Sequence, residues 1–277
     1  MNLKKIYKKR NNWAKKGDFG YVLIVGGSKR YSGSPIFNAV CALAALRGGA
    51  DLTTIVAPKR AADIAASFLP DLITYPLDDE LKPGYVKEII KLSEDFDSLV
   101  IGGGIKRGPK AHQAIIEIIK KINLPMVIDA EAIHAVSKQK SVLKNKRAII
   151  TPHSGEFKVL TGEVIKDNIN DRKNKVKKWA RKLGVVLLLK GNVDVISDGK
   201  KVVLNKTGSP FMTKGGFGDC LAGICGALLA RGVKPLEAAS AGAYINGQAG
   251  ELAAKKFGEG LLASDIFEYI PKVIKFK

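Results

Sequence analysis

The sequence predicts an α/β protein whose central sheet is largely parallel and covered by helices on both faces. Short apolar runs rich in β-branched residues recur along the 277-residue chain, and segments of helical periodicity lie between most of them. Proline opens several of those helical segments and glycine follows them, the expected asymmetry of helix ends. The first strand is Tyr21–Val25, an apolar run that stops at a glycine pair, and the helix Pro35–Arg47 follows. Strands are expected at Leu52–Val56, Ser98–Ile101, Met126–Ile128, Ala148–Ile150 and Val185–Leu189. Helices are expected at Pro109–Lys121, Glu131–Ser137, Gly155–Leu160, Arg172–Leu183, Gly218–Ala230 and Pro235–Ala254. Val193–Ser197 and Lys201–Leu204 flank Asp198-Gly199, an Asp-Gly signal for a hairpin turn. No linker, repeat or low-complexity tract interrupts residues 1–277, so one domain is expected.

Composition bounds the function classes. An apolar share of 46% with 26% charged residues is that of a folded globule. Apolar runs such as Val185–Leu189 fall far short of a bilayer span, and no apolar segment follows the lysine-rich start; a cytoplasmic protein without membrane contact is expected. Cys41, Cys220 and Cys225 lack metal-binding or CxxC spacing and read as small packing residues. The net charge of +20 is mostly lysine spread over separate blocks with no recognition-helix pattern. Solvated lysine faces are expected rather than a nucleic-acid partner, and the field favours an anionic substrate.

In an open α/β sheet, ligands lie beyond the carboxyl ends of the strands, so the loops there carry the chemistry. The most informative is Thr213-Lys214-Gly215-Gly216-Phe217-Gly218-Asp219, which runs into a helix. Amides of Gly215, Gly216, Phe217 and Gly218 at a helix start form an anion site, and Asp219 stands where a base is needed; an aspartate that merely caps the helix would look the same. Gly26 to Pro35 is either a second ligand loop or a structural turn, and Gly102-Gly103-Gly104 with Lys106 and Arg107 is either a bare ligand wall or a turn. Asp129, at a strand end, reads as a helix cap or a direct participant. His153 and Glu156, three residues apart at a strand-to-helix turn, face one ligand, with His153 as a hydrogen-bond donor and Glu156 beside a hydrated Mg²⁺. One His and one Glu exclude a zinc centre held by protein alone. Lys190-Gly191-Asn192-Val193-Asp194 is a nucleotide-binding turn or a tight polar one.

Taken in order, GDFGYVLIVGGSKRYSGSP, IGGGIKRG, VIDAEAI, TPHSGEF, LLLKGNVDVI and GGFGDCLAGICGALLARG resemble the motifs of the ADP- or ATP-dependent NAD(P)H-hydrate dehydratases, a branch of the ribokinase-like superfamily. The resemblance runs from about Lys16 to Pro271. It implies a three-layer α/β/α fold and ADP- or ATP-driven dehydration of the S-epimer of hydrated NADH or NADPH, with Mg²⁺. By it, Ser34, Gly104, His153 and Asp219 contact the substrate. Lys190, Gly191, Asn192, Val193, Asp194 and Gly218 contact the nucleotide. Asp219 is the base that activates the 6-hydroxyl for phosphorylation before elimination. It also implies a homo-oligomer, with a tetramer among the options, and an epimerase on a separate chain. Phe217, Gly103, Ser34, Asp194 and Asn246 depart from the family pattern, and a carboxylate at Asp194 is electrostatically unfavourable beside phosphates. The competing readings are a small-molecule kinase of the same superfamily, acting on a hydroxymethylpyrimidine, thiazole alcohol or sugar, and a non-catalytic nucleotide or nucleic-acid binder.

Overall fold

The computed structural model describes residues 3–29 and 34–275, with residues 34–39 described in backbone only. In chain order the strands are β1 (Tyr21–Val25), β2 (Leu52–Pro58), β3 (Ile73–Leu77), β4 (Ser98–Ile101), β5 (Met126–Ile128), β6 (Ala148–Ile150), β7 (Val186–Leu189), β8 (Asp194–Ser197) and β9 (Val202–Asn205). The main helices are α1 (Ser34–Arg47), α2 (Lys59–Phe68), α3 (Val86–Ser93), α4 (Pro109–Lys121), α5 (Glu131–Lys138), α6 (Ser154–Thr161), α7 (Ile169–Leu183), α8 (Phe217–Ala230), α9 (Pro235–Phe257) and α10 (Ile270–Ile274).

All strands join one sheet in the order β3-β2-β1-β4-β5-β6-β7-β8-β9. From β3 to β7 every pairing is parallel, and β8 and β9 add an antiparallel edge. Because strand side chains alternate, each strand feeds two cores. Val22 and Ile24 of β1 pack with α1, α2, α8 and α9, whereas Leu23 and Val25 pack with α3 through α7. The result is three layers. The hairpin forms at the expected turn, where Asp198 Oδ1 accepts the amides of Lys200 and Lys201 at 2.9 and 2.7 Å and Gly199 takes φ +86°.

Four of these elements were not anticipated: α2, β3, α3 and α10. β3 is an edge strand whose side chains are mostly accessible and which contains Pro76, so it lacks the apolar run that marks the inner strands. The other boundaries differ from expectation by a few residues, the largest changes being at the start of α7, which begins at Ile169 with Asn168 as its cap, and at the end of α9, which runs on to Phe257.

Glycine sets the closest contact between helices. A Cβ on Gly223 of α8 would lie 2.0 Å from the Cys41 carbonyl oxygen of α1, and one on Gly226 would lie 2.5 Å from a Val100 methyl of the sheet. α8 therefore presses directly against α1 and β4. Gly223→Ala is expected to destabilise by about 1–3 kcal/mol, since only backbone displacement makes room. A thermal melt reads this as a drop of several degrees in Tm.

Candidate active site

The loops beyond the carboxyl ends of β1, β4, β5, β6 and β7 converge on the start of α8. Ile24, Val25, Cys41, Val100, Gly102, Gly103, Asp129, Asp219 and Ala222 line a cleft with about 230 Å³ of empty space. Gly102 adopts φ +128° and lies so close to the next strand that a Cβ would stand 1.9 Å from the Asp129 carbonyl oxygen. Gly103 O accepts Gly27 N at 2.9 Å, tying this glycine wall to the first loop. The three glycines form a turn at the end of β4 whose backbone faces the cleft.

Asp219 is not the helix cap. Gly216 occupies that position in the left-handed region with φ +98°, no side chain caps the helix, and Asp219 lies within its first turn. The amides at the helix start are left for an anion. Phe217 turns its ring into the core at 5% exposure, so the side chain that replaces a hydroxyl leaves the main-chain donors in place. Burial, reinforced by the charge of Asp129 and only partly offset by Lys190, pushes the Asp219 carboxyl up to about 7. That value suits a base working near neutrality.

Around it stand groups from the opposite layer. Asp129 Oδ1 accepts Thr151 Oγ1 at 2.7 Å and Lys190 Nζ at 3.1 Å, and Lys190 Nζ lies 3.8 Å from Glu156 Oε2. Asp129 is therefore no cap either; the residue before α5 is Ala130, and no side chain caps that helix. Burial opposes the charge on Lys190, but Asp129 and Glu156 together outweigh it and hold its amine above the usual lysine range. Lys190 faces the carboxylates rather than open solvent.

His153 and Glu156 form a reciprocal cap on α6. His153 Nδ1 accepts the amides of Gly155 and Glu156 at 3.0 and 3.2 Å, and Glu156 Oε2 accepts His153 N at 3.0 Å. An acceptor Nδ1 puts the proton of the neutral ring on Nε2, which lies 3.6 Å from Glu156 Oε2 on a side chain that is largely exposed. Among the described residues, no group of three or more His, Cys, Asp or Glu side chains is arranged to hold a metal ion. The carboxylates are hard oxygen donors that suit Mg²⁺, but the Lys190 amine sits against both Asp129 and Glu156. Among the described residues, the lining therefore supplies no cage of protein ligands for a metal ion.

The turn Lys190 to Asp194 is built from within. Asp194 Oδ1 accepts Gly191 N at 3.0 Å and its Oδ2 accepts Asn205 Nδ2 at 3.0 Å, while Arg172 Nη2 donates to the carbonyls of Lys190 and Val193 at 3.1 and 3.4 Å. Burial raises the Asp194 carboxyl above its usual range. The carboxylate that looked unfavourable in sequence points back into its own turn. Asn246 Nδ2 donates to the Phe217 carbonyl at 3.5 Å, and its buried Oδ1 has no partner.

The structure brings together Gly215 to Asp219, the Gly102–Gly103 wall, Glu156 and Lys190; His153 stands at the rim, and Gly104 follows the wall in a positive-φ turn. Ser34 opens α1, but its side chain, with residues 30–33 of the same loop, lies outside the described residues. Sequence reasoning missed Thr151, Arg172 and Glu131. Glu131 takes Arg107 bidentately, with Nε and Nη2 at 3.0 Å, and contacts His112 Nε2 at 2.6 Å, which anchors the loop after β4 to α4 and α5. Its position two residues beyond Asp129 in VIDAEAI was the available signal.

Residues 22–272 match the family described as NAD(P)H-hydrate dehydratase. The chain belongs to that family. A bifunctional NAD(P)H-hydrate repair enzyme from Pyrobaculum aerophilum is 43% identical over 265 residues, covering 95% of this chain and 52% of that protein. The chain spans about half the length of such bifunctional relatives. An ADP-dependent (S)-NAD(P)H-hydrate dehydratase from Cenarchaeum symbiosum is 38% identical over 276 residues, covering 99% of this chain and 95% of that one. The ADP/ATP-dependent NAD(P)H-hydrate dehydratase from Bacillus subtilis, co-crystallised with ATP and Mg²⁺, is 26% identical with a TM-score of 0.83 and coverage of 99% and 96%. The dehydratase fold seen here is ribokinase-like. None of its described helices is long and apolar enough to cross a membrane.

Proposed function

We propose that this dehydratase-family chain restores the dihydronicotinamide of hydrated NADH or NADPH, acting on the S-epimer, with ADP as phosphoryl donor. The observation that carries the reading is Asp219, a carboxyl poised near 7 within the first turn of a helix whose amides no side chain caps. Two archaeal relatives named ADP-dependent, matching nearly their full length, support the donor.

The hydroxyl of the substrate lies against the Gly102–Gly103 wall and gives its proton to an Asp219 carboxylate oxygen. Its oxygen attacks the terminal phosphorus, and the bond to the remaining nucleotide breaks, so ADP leaves as AMP. Amides of the α8 start stabilise the negative charge that develops on the transferring group. The Lys190 ammonium adds positive charge beside that turn. Mg²⁺, when bound with the nucleotide, would neutralise phosphate charge. The carbon–oxygen bond then breaks with phosphate as leaving group while the ring nitrogen's electron pair forms a carbon–nitrogen double bond, and loss of a proton from the adjacent ring carbon to solvent or the departing phosphate restores the ring double bond of the dihydronicotinamide. The exposed Nε2–H of His153 is a donor for the substrate's polar groups.

Purified protein with Mg²⁺ and ADP is expected to regenerate dihydronicotinamide absorbance from hydrated NADH, with ATP run in parallel. No turnover with either nucleotide, together with phosphorylation of a vitamin alcohol, would establish the kinase alternative instead. Because only the carboxylate form of Asp219 accepts a proton, kcat/KM should fall about tenfold per pH unit below about 7 and level off above it. A profile flat through that range would remove Asp219 from the role of base.

A further inference from the structure

The steps above make no use of Asp129, although it is one of the more deeply buried charges in the cleft, with 5% of its surface exposed. Burying a carboxylate is costly unless it is paired, and one retained beside a reactive group is a candidate for function. The chain goes to some length to put it there. Ala130, a non-glycine residue, takes φ +46° with ψ −121°, and Gly102 has no Cβ, which lets the Asp129 backbone approach. The carboxylate is then aimed inward, where the Thr151 hydroxyl at 2.7 Å fixes one oxygen and Lys190 Nζ at 3.1 Å meets the same atom. The amine of Lys190 also lies close to the start of α8, since a Cβ added to Gly218 would stand 3.4 Å from it. The ammonium thus bridges Asp129 and the turn that carries Asp219.

We propose that Asp129 and Lys190 are a positioning pair for the base: Asp129, oriented by Thr151, holds the ammonium against the first turn of α8, and the ammonium keeps Asp219 able to ionise at neutral pH. Two carboxylates in one narrow cleft would otherwise compete for a shared proton, and the amine between them removes that competition. The groups facing Asp219 are few. Asp129 and Glu156 disfavour its charge and Lys190 favours it, while Cys41 from α1 and Cys220 from α8 are thiols that burial keeps protonated. The pair matters through Asp219, so the inference rests on the proposed role of that residue.

The deciding measurement is the titration of the Asp219 carboxyl carbon by NMR in the purified full chain, assigned with Asp219→Asn, alongside the pH dependence of kcat/KM. Lys190→Met should move the Asp219 midpoint up by about one pH unit or more, costing about tenfold or more in kcat/KM at neutral pH that returns on raising the pH. Asp129→Asn removes both a repelling charge and the hold on the ammonium, so the Asp219 midpoint should stay at or above the wild-type one; a clear fall below it would mark Asp129 as a repelling charge alone and overturn the pair. Lys190→Arg keeps the charge and should keep the wild-type midpoint. If Asp129→Asn does not fold, the contrast between Met and Arg at position 190 carries the test. An unmoved midpoint in Lys190→Met, with only a higher KM for the nucleotide, would reduce Lys190 to a phosphate contact and overturn the pair. The NMR titration needs no turnover, so failure of the proposed reaction and failure of this inference are read separately.

Discussion

Asp219→Asn is expected to lose roughly 10²–10⁴-fold in kcat while gaining stability in alkaline solution. The first effect follows from losing the proton acceptor while the amides of the α8 start remain. The second follows from linkage. The folded carboxyl titrates near 7, above the ordinary value of 3.8, so between those limits the folded chain holds a proton that the unfolded chain has released. The contribution of this group to stability is complete below the unfolded value and is lost as pH rises through the folded one. Asparagine carries no such penalty. The rise in Tm should therefore be clear at pH 8 and vanish at about pH 4, and a melt that is unchanged or lower at pH 8 would refute the account. The two readouts together mark a residue kept for chemistry at the expense of stability.

Gly102→Ala is the second substitution with a large expected effect. The new methyl would stand 1.9 Å from the Asp129 carbonyl oxygen, and the backbone at φ +128° is one that L-residues rarely adopt. Overpacking and dihedral strain each cost roughly 1–3 kcal/mol, so a Tm lower by several degrees is expected. Relief requires the segment after β5 to shift, which carries the Asp129 carboxylate with it. Turnover should fall in the folded fraction too. Wild-type turnover by folded Gly102→Ala would show that the wall can move without consequence.

Much of the architecture was written in local pattern. β1 and β4 through β7 are short apolar runs buried on both faces, and such runs declare themselves. β3 did not, because its side chains are largely accessible and Pro76 interrupts it, so its pairing with β2 comes from its place at the sheet edge. The site divides in the same way. The glycines before Asp219 and the His153–Glu156 spacing are visible because they serve turns that local sequence encodes. Asp129 stayed open between cap and participant because its partners, Thr151 and Lys190, lie 22 and 61 residues away along the chain. Asp194 looked out of place for a related reason. Its orientation depends on Asn205, across the hairpin, and on the Gly191 amide, and neither bond can be read from residue type.

Phe217 illustrates how an anion site can be inherited. With its ring in the core, Phe217 leaves the amides of the α8 start uncapped by any side chain, so the proposed anion site there would be made by peptide groups. What descent must preserve is the course of the chain, above all the left-handed turn at Gly216, so that the function is carried by backbone shape and a letter-by-letter comparison understates the kinship.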